Sequence, residues 1–285
     1  MDFKDNTTTT CGIAVALGAG GARGLGHILV VEAMDDLGLR PAAIAGASMG
    51  AVVGAAWAAG VSGRDMRAHV QSLVRNRADL MARVLRARVG RFTDIFSGLG
   101  HPVLLDGERI LDLFWPKAVP DRFEQLQTPF HAVATDFFGR ENRSFQSGPL
   151  APAVAASMAI PGLFRPVKIE DRVYVDGGVT DPLPYRCLLG NGAYVVACDV
   201  TGGPVMAERA SPSPFEAMFG AAQIMQGAIT AQMLKASQPH VLLRPDLDRF
   251  RVLDFFAAAQ IFAAAEPIKD EIKRAVEQAM KDTVA

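Results

Sequence analysis

The chain opens on a polar stretch, MDFKDNTTTT, and then turns apolar. Cys11 to Leu17, CGIAVAL, is a short apolar run that stops at a glycine cluster, the pattern of a buried strand. Ile28, Leu29, Ala33, Met34 and Leu37 then share one side of a helix that Gly38 closes. Ala42 to Ala45 predicts a second strand ending at Gly46, and Met49 to Ala59 an alanine-rich helix closed by Gly60. Strand, helix, strand, helix with tight glycine turns is the rhythm of a parallel sheet with helices on its faces.

Further along, the pattern predicts short helices over Asp106–Phe114 and Ala151–Ala159, the second stopped by Pro161-Gly162. Strands are expected at Phe130–Phe137, Val173–Val175, Ala193–Val200 and Val241–Leu243. Thr201 to Pro214 reads as a loop, Phe215 to Ser237 as a long helix, and residues 251–282 as a terminal helical region broken near Pro267. The expectation is a polar, disordered tail over 1–10 and one domain over 11–282.

Residues 64–91 differ from the rest. They hold eight arginines against Asp65 and Asp79, a net charge of +6, with Met66, Val70, Leu73, Val74, Leu80, Met81, Val84 and Leu85 at helical spacing. This is one or two basic amphipathic helices, suited to an anionic membrane surface or to a phosphate head group. An ordinary solvated face balanced by acids elsewhere has the same pattern. The stretch lacks the interleaved aromatics of a single-strand binder, and the whole chain has a net charge of -1, so nucleic acid is not the expected partner.

Half of the residues are hydrophobic, enough for a sizeable core. Cys11, Cys187 and Cys198 form neither a metal spacing nor a disulfide framework, and they lie in or beside apolar runs, as reduced, buried cysteines of a cytoplasmic protein do. The polar start has no signal-peptide pattern, and no apolar stretch reaches a membrane span. No cofactor and no metal are expected.

Gly46-Ala47-Ser48-Met49-Gly50 has the G-x-S-x-G form of a nucleophile elbow, between a strand and a helix former series. In that setting Ser48 sits on a sharp turn, and the helix N-terminus beneath it favours a developing oxyanion. A serine capping an ordinary helix would look the same. Gly18-Ala19-Gly20-Gly21-Ala22-Arg23-Gly24 follows the first strand. As a dinucleotide fingerprint it fails, because Arg23 stands where a small residue must pack, and no Walker pattern occurs. What remains is a loop whose N–H groups can converge on an anion, or a tight turn needed for packing.

A serine hydrolase ordinarily needs a base. Of the five histidines only His240 lies late enough for a Ser-acid-His order, and it starts a strand; His69 reads as a surface residue and His27 as helix packing. Asp176-Gly177-Gly178 follows a short strand and would hold a carboxylate rigidly, though Asp-Gly-Gly is also a common turn. A Ser–Asp dyad is chemically possible if the carboxylate is desolvated and within hydrogen-bond reach.

These residues carry a family likeness. The chain resembles the patatin-like phospholipases, compact bacterial members above all, over roughly residues 11–200. Ala19-Gly20-Gly21-Ala22-Arg23-Gly24 matches the family's glycine-rich oxyanion loop, Gly46-Ala47-Ser48-Met49-Gly50 its elbow, Ala155 to Phe164 its small-residue block ending Ile-Pro-Gly-Leu-Phe, and Asp176-Gly177-Gly178 its dyad aspartate motif. The resemblance implies a three-layer α/β/α sandwich with a mixed, mainly parallel sheet. It implies Ser48 as nucleophile and Asp176 as the base that takes its proton. Backbone N–H groups of Gly20, Gly21, Ala22 and Met49 would form the oxyanion hole, with Arg23, Gly24, Gly46, Gly50, Gly177 and Gly178 in support. The implied activity is hydrolysis of phospholipid, lysophospholipid or related lipid esters through an acyl-enzyme. A general carboxylesterase, thioesterase or acyltransferase would use the same chemistry, and a regulatory lipid-binding protein could keep the fold. Two positions depart from the pattern: Ala19 stands for the first glycine of the oxyanion motif, and Thr180-Asp181-Pro182 follows the dyad motif where relatives often carry Asn before the proline.

Overall fold

The computed structural model describes residues 9–10, 12–89, 104–190, 192–204 and 211–284. Eight strands form the central sheet: β1 (Ile13–Leu17), β2 (Ala43–Ala47), β3 (Phe130–Asp136), β4 (Glu141–Phe145), β5 (Val167–Ile169), β6 (Arg172–Asp176), β7 (Tyr194–Cys198) and β8 (Val241–Leu243). Their order is β8-β7-β1-β2-β3-β6-β5, with β4 also paired to β3. The run from β8 to β3 is parallel, and β4, β5 and β6 add antiparallel pairs. The sheet is therefore mixed and mainly parallel, with helices on its faces.

Helices α1 (His27–Asp36), α2 (Met49–Ala58), α3 (Gly63–Arg75), α4 (Arg77–Arg86), α5 (Gly107–Phe114), α6 (Leu150–Ser157), α7 (Pro214–Ala236), α8 (Ala258–Ala265) and α9 (Ile268–Val284) surround it. Alternate residues of the parallel strands face opposite layers. Ile13, Val15, Leu17, Ile44 and Val196 join a core with Leu29 of α1, Ala55 of α2, Ile261 of α8 and Ile272 of α9. Ala14, Ala16, Ala45, Val195 and Ala197 face the other way, toward Leu183, Tyr185, Leu188 and Met233 of α7. Both faces are apolar, which is why these strands read as continuous runs rather than alternations.

Local chemistry sets several helix starts. Ser62 Oγ accepts from the Asp65 N–H at 3.1 Å ahead of α3, and Ser213 and Glu216 form a capping box with Pro214 in the first position of α7. The basic stretch is two helices, α3 and α4, parted at Asn76. Within it Arg67 donates to Glu32 of α1 at 2.5 and 2.6 Å and to Glu266 at 3.2 Å, and the Arg77 guanidinium lies 5.1 Å from the Phe256 ring. Gly90 and Arg91, at its end, lie outside the described residues.

Three differences from the sequence reading have physical causes. Thr9–Thr10, at the edge of the expected tail, pair in parallel with Leu39–Arg40; residues 1–8 lie outside the described ones. The strand expected at Ala42–Ala45 runs on to Ala47, because Gly46 and Ala47 keep pairing with β1 and β3. Strand β4, ENRSF, had no apolar signature; it is a polar, largely exposed strand held by β3's backbone. Cys198 is buried while Cys187 is half-buried, its thiol donating to the Pro184 carbonyl at 3.0 Å; Cys11 lies outside the described residues. No described helix is long and apolar enough to cross a membrane.

Candidate active site

The register of β3 brings the two key side chains together. Along one edge of β3, Phe130 to Val133 pair with β2, Ala47 standing opposite Val133. Over Ala132 to Asp136 the other edge is taken by β4. β6 pairs with Ala134 to Asp136, Asp176 standing opposite Ala134. Strands β2 and β6 therefore share one edge of β3 and meet end to end between Val133 and Ala134. Ser48 is the residue after β2, and Asp176 is the last residue of β6.

At that junction the Ser48 hydroxyl donates to Asp176 Oδ2 at 2.6 Å. Both residues are buried, at 4% and 3% exposure. Ser48 has φ 55° and ψ -124°, a conformation that costs a non-glycine residue about 1–3 kcal/mol. Its surroundings over-determine it. The Ser48 N–H donates to Ser157 Oγ at 3.0 Å, Ser157 Oγ donates to the Val133 carbonyl at 2.5 Å, and the Ser48 carbonyl accepts from Ala51 and Val52 at 2.9 and 3.2 Å. The elbow also needs close backbone approach: a methyl group at Gly50 would run into the carbonyl of Leu17 at the end of β1.

Asp176 is held from two more directions. Its Oδ1 accepts the Gly178 N–H at 2.7 Å, and its own carbonyl accepts from Thr135 Oγ1 at 2.9 Å. Burial pushes the carboxyl up from 3.8 to about 6, against the opposing pull of the hydrogen bonds from Ser48 and Gly178. The result is a carboxylate basic enough to accept a proton near neutral pH and still mostly ionised there.

The glycine loop lies beside the elbow: a Cβ on Gly24 would fall 2.5 Å from the Met49 side chain. Gly21 has φ +57° and faces the Val252 carbonyl at a spacing that leaves no room for a side chain. The loop is pinned by Gly18 N–H to the Cys198 carbonyl, at 3.0 Å, and by Ala19 N–H to that of Pro182, at 2.8 Å. Ala22 must be corrected as an oxyanion donor: its N–H donates to the Val252 carbonyl at 2.7 Å and is already spent. Gly20, Gly21 and Met49 remain as candidates. Met49 is the first residue of α2, where N–H groups have no acceptor within the helix. Ala19 is not among the positive-φ residues, so its methyl group brings no backbone strain.

Arg23 is fully buried. Its Nη1 lies 3.4 Å from the carbonyls of Gly203 and Phe250, and with the Gln223 amide turned oxygen-inward Nη2 donates to it at 2.8 Å. Burial lowers its pKa while Asp248, Asp199 and Asp254 oppose that. The histidines serve elsewhere. His27 is fully buried, its Nε2 2.8 Å from the Gly18 carbonyl; burial holds it at about 4, so it is neutral and donates to that carbonyl. His69 is half-buried, with Nε2 2.8 Å from the Phe114 carbonyl. His131 pairs with Ser144 Oγ at 3.1 Å, and His240, at the opposite end of the sheet, accepts from the Val195 N–H at 2.9 Å. His101 lies outside the described residues. Three supporting residues escaped the sequence reading: Ser157, Thr135 and Val252. Ser157 alone had a signal, as the one hydroxyl inside the small-residue block.

A family model described as patatin-like phospholipase matches residues 15–189. The chain belongs to the patatin-like phospholipase family. An uncharacterized NTE family protein of Mycobacterium tuberculosis is 40% identical over 191 residues, 67% of this chain and 49% of the relative. Patatin-like phospholipase domain-containing protein 7 of Rattus norvegicus is 27% identical over 268 residues, 85% of this chain and 19% of the relative. The chain thus spans about half the length of the mycobacterial NTE family relative. Among solved structures, VipD from Legionella pneumophila aligns over 94% of this chain and 66% of its own, at 14% identity and a TM-score of 0.47.

Proposed function

We propose that this protein is a serine acyl hydrolase that cleaves phospholipids, lysophospholipids or related lipid esters with a Ser48–Asp176 dyad. The observation that carries the reading is the 2.6 Å hydrogen bond between a serine at a strained strand–helix turn and a buried, basic carboxylate. Ser48 Oγ attacks the ester carbonyl as Asp176 takes its proton, forming the tetrahedral oxyanion. N–H groups of Gly20, Gly21 and Met49 stabilise that oxyanion. Asp176 then gives the proton to the departing alcohol, leaving an acyl-enzyme. In the second half Asp176 takes a proton from water, which attacks the acyl carbon; the fatty acid leaves and Ser48 recovers its proton. His27 acts as a positioning residue, fixing the Gly18 carbonyl at the root of the oxyanion loop.

The reading gives the basic helices a part as well. Met81 and Leu85 stand exposed on α4 among Arg77, Arg83 and Arg86, the mixture that rests on an anionic bilayer, so the enzyme is a peripheral one. Arg67 is engaged by Glu32 and Glu266 and serves the fold. The test is fluorophosphonate labelling followed by a screen of short-chain esters, lysophospholipids, diacyl phospholipids and acyl thioesters, with Ser48→Ala as blank. Labelling at Ser48 and turnover of a lipid ester are expected. A protein that neither labels nor turns over any of these substrates is a binding protein, and the reading fails.

A further inference from the structure

Helix α7 is apolar on its outer side as well as where Met233, Ile229 and Leu234 join the second core. Its inward side carries Gln223 and Thr230, both buried, and Gln226, whose amide lies beside Gly178. Its outward side carries Ala217, Met218, Ala221, Ile224, Met225, Ala228 and Ala231, all exposed. Ile224 is 62% exposed, Met225 59%, Phe215 48% and Met218 45%. No charged residue occurs from Ala217 to Leu234. A surface helix ordinarily turns its polar side to water, and an uncharged helix is ordinarily covered. A contiguous apolar face of this length on the outside marks an interaction surface.

Three observations decide what covers it. First, the helix lies against the candidate active site. Gln226 abuts Gly178, two residues from the dyad aspartate, and the Met218 methyl lies 3.0 Å from where a Cβ on Gly162 would stand. Val179, next in sequence to Gly178, is itself 44% exposed. Second, the rim is basic. Glu216, the acid at the start of the helix, is paired with Arg251 at 3.4 Å, while Lys235 ends the helix and Arg186 lines the groove along Ala228, Ile229 and Gln232. An apolar strip with a basic margin complements an anionic bilayer: apolar side chains enter the acyl boundary and cations meet the phosphates. Third, two polar side chains at the middle of the helix are buried rather than presented outward, Gln223 against the carbonyl of Gly203 and Arg23, and Thr230, while the exposed Gln232 lies toward the Lys235 end, at head-group level.

We propose that α7 is the lipid-docking face of the enzyme, bedding Phe215, Met218, Ile224 and Met225 in an anionic bilayer beside the dyad. This rests on the lipid-hydrolase reading for its purpose, though not for its geometry. It also separates two roles: α4 supplies screened, long-range attraction, and α7 supplies apolar insertion that salt does not screen.

Vesicles of phosphatidylglycerol and phosphatidylcholine are floated with wild type, with the triple variant Phe215→Gln, Ile224→Gln, Met225→Gln, and with the double variant Arg83→Gln, Arg86→Gln. Turnover of a soluble short-chain ester, thermal melting and sedimentation are measured on the same samples. The triple variant is expected to lose about tenfold or more in vesicle partitioning, at low and high salt alike, while melting as wild type does and keeping soluble-ester turnover within about twofold. The double variant loses recruitment at low salt only. Equal flotation of wild type and triple variant overturns the proposal. So does a wild-type dimer that the triple variant splits, since a second copy would then be what covers α7. If no protein hydrolyses any ester but the flotation difference holds, the hydrolase reading falls and the docking face stands; hydrolysis with equal flotation gives the reverse.

Discussion

The Asp176 carboxyl sits where two measurable quantities must move together with pH. It is buried, and burial raises it from 3.8 to about 6. Only the ionised form takes the Ser48 proton, so kcat/KM on a soluble ester should follow that ionisation, falling about tenfold between pH 7 and pH 5 with a limiting slope of about one. The same group has a stability signature. An acid whose folded pKa is raised binds more protons folded than unfolded between about pH 4 and pH 6, so stability falls as pH rises through that window and stays low above it. The gap between 3.8 and about 6 corresponds to about 3 kcal/mol. Asp176→Asn cannot ionise and escapes that loss. Relative to wild type it should gain stability from pH 4 to pH 6.5, levelling near 3 kcal/mol, while losing about 10²–10⁴ in rate. Asp181 is also raised to about 6, by burial, but is present in both proteins and cancels in the difference. The assay pairs denaturant unfolding of both proteins across pH 4–8 with a kcat/KM profile of wild type. A flat rate profile, or a stability difference that does not change with pH, refutes the reasoning.

Other outcomes follow from the same geometry. Ser48→Ala combined with Asp176→Asn should be little slower than either alone, since the pair acts as a unit; additive losses in kcat would separate the two. Ser157→Ala orphans the buried Ser48 N–H and should cost about 1–3 kcal/mol in chemical denaturation, with kcat falling more than KM rises. Gly50→Ala drives a methyl group against the Leu17 carbonyl and should cost about 3 kcal/mol, read as a lowered unfolding midpoint. Ala19→Gly should lose up to about 1 kcal/mol with no gain in rate; a tenfold faster variant would mean that the methyl group distorts the loop.

The parallel half of the sheet was legible because its strands are buried on both faces and its turns are glycines, so CGIAVAL and AYVVACDV announce themselves. Strand β4 was not, because ENRSF is polar and exposed, and its pairing comes from β3's backbone. Ser48 and Asp176 could be singled out from turn chemistry and family likeness, yet their contact depends on β2 and β6 sharing an edge of β3, which no local pattern encodes. Ala22 looked like a donor because loop residues before a helix have free N–H groups; the acceptor that takes it, Val252, is 230 positions away. Helix α7 was readable as a helix, but which side faces out is decided by Met233 and its partners in the second core. His27 read as a packing residue, and it packs by donating to Gly18.

On the proposed dyad, the end-to-end meeting of β2 and β6 makes chemical competence a late event in the life of the chain. While the first 150 residues are being synthesised, the serine exists without a base, since Asp176 has not yet been made. Even a complete chain stays inert until the antiparallel half has zipped onto β3 in register, because a slip of one position would turn the aspartate to the opposite face. On that reading, partly folded copies would meet lipid before they could cut it. Hydrolysis of a soluble ester, followed during refolding, would time the closure of that seam.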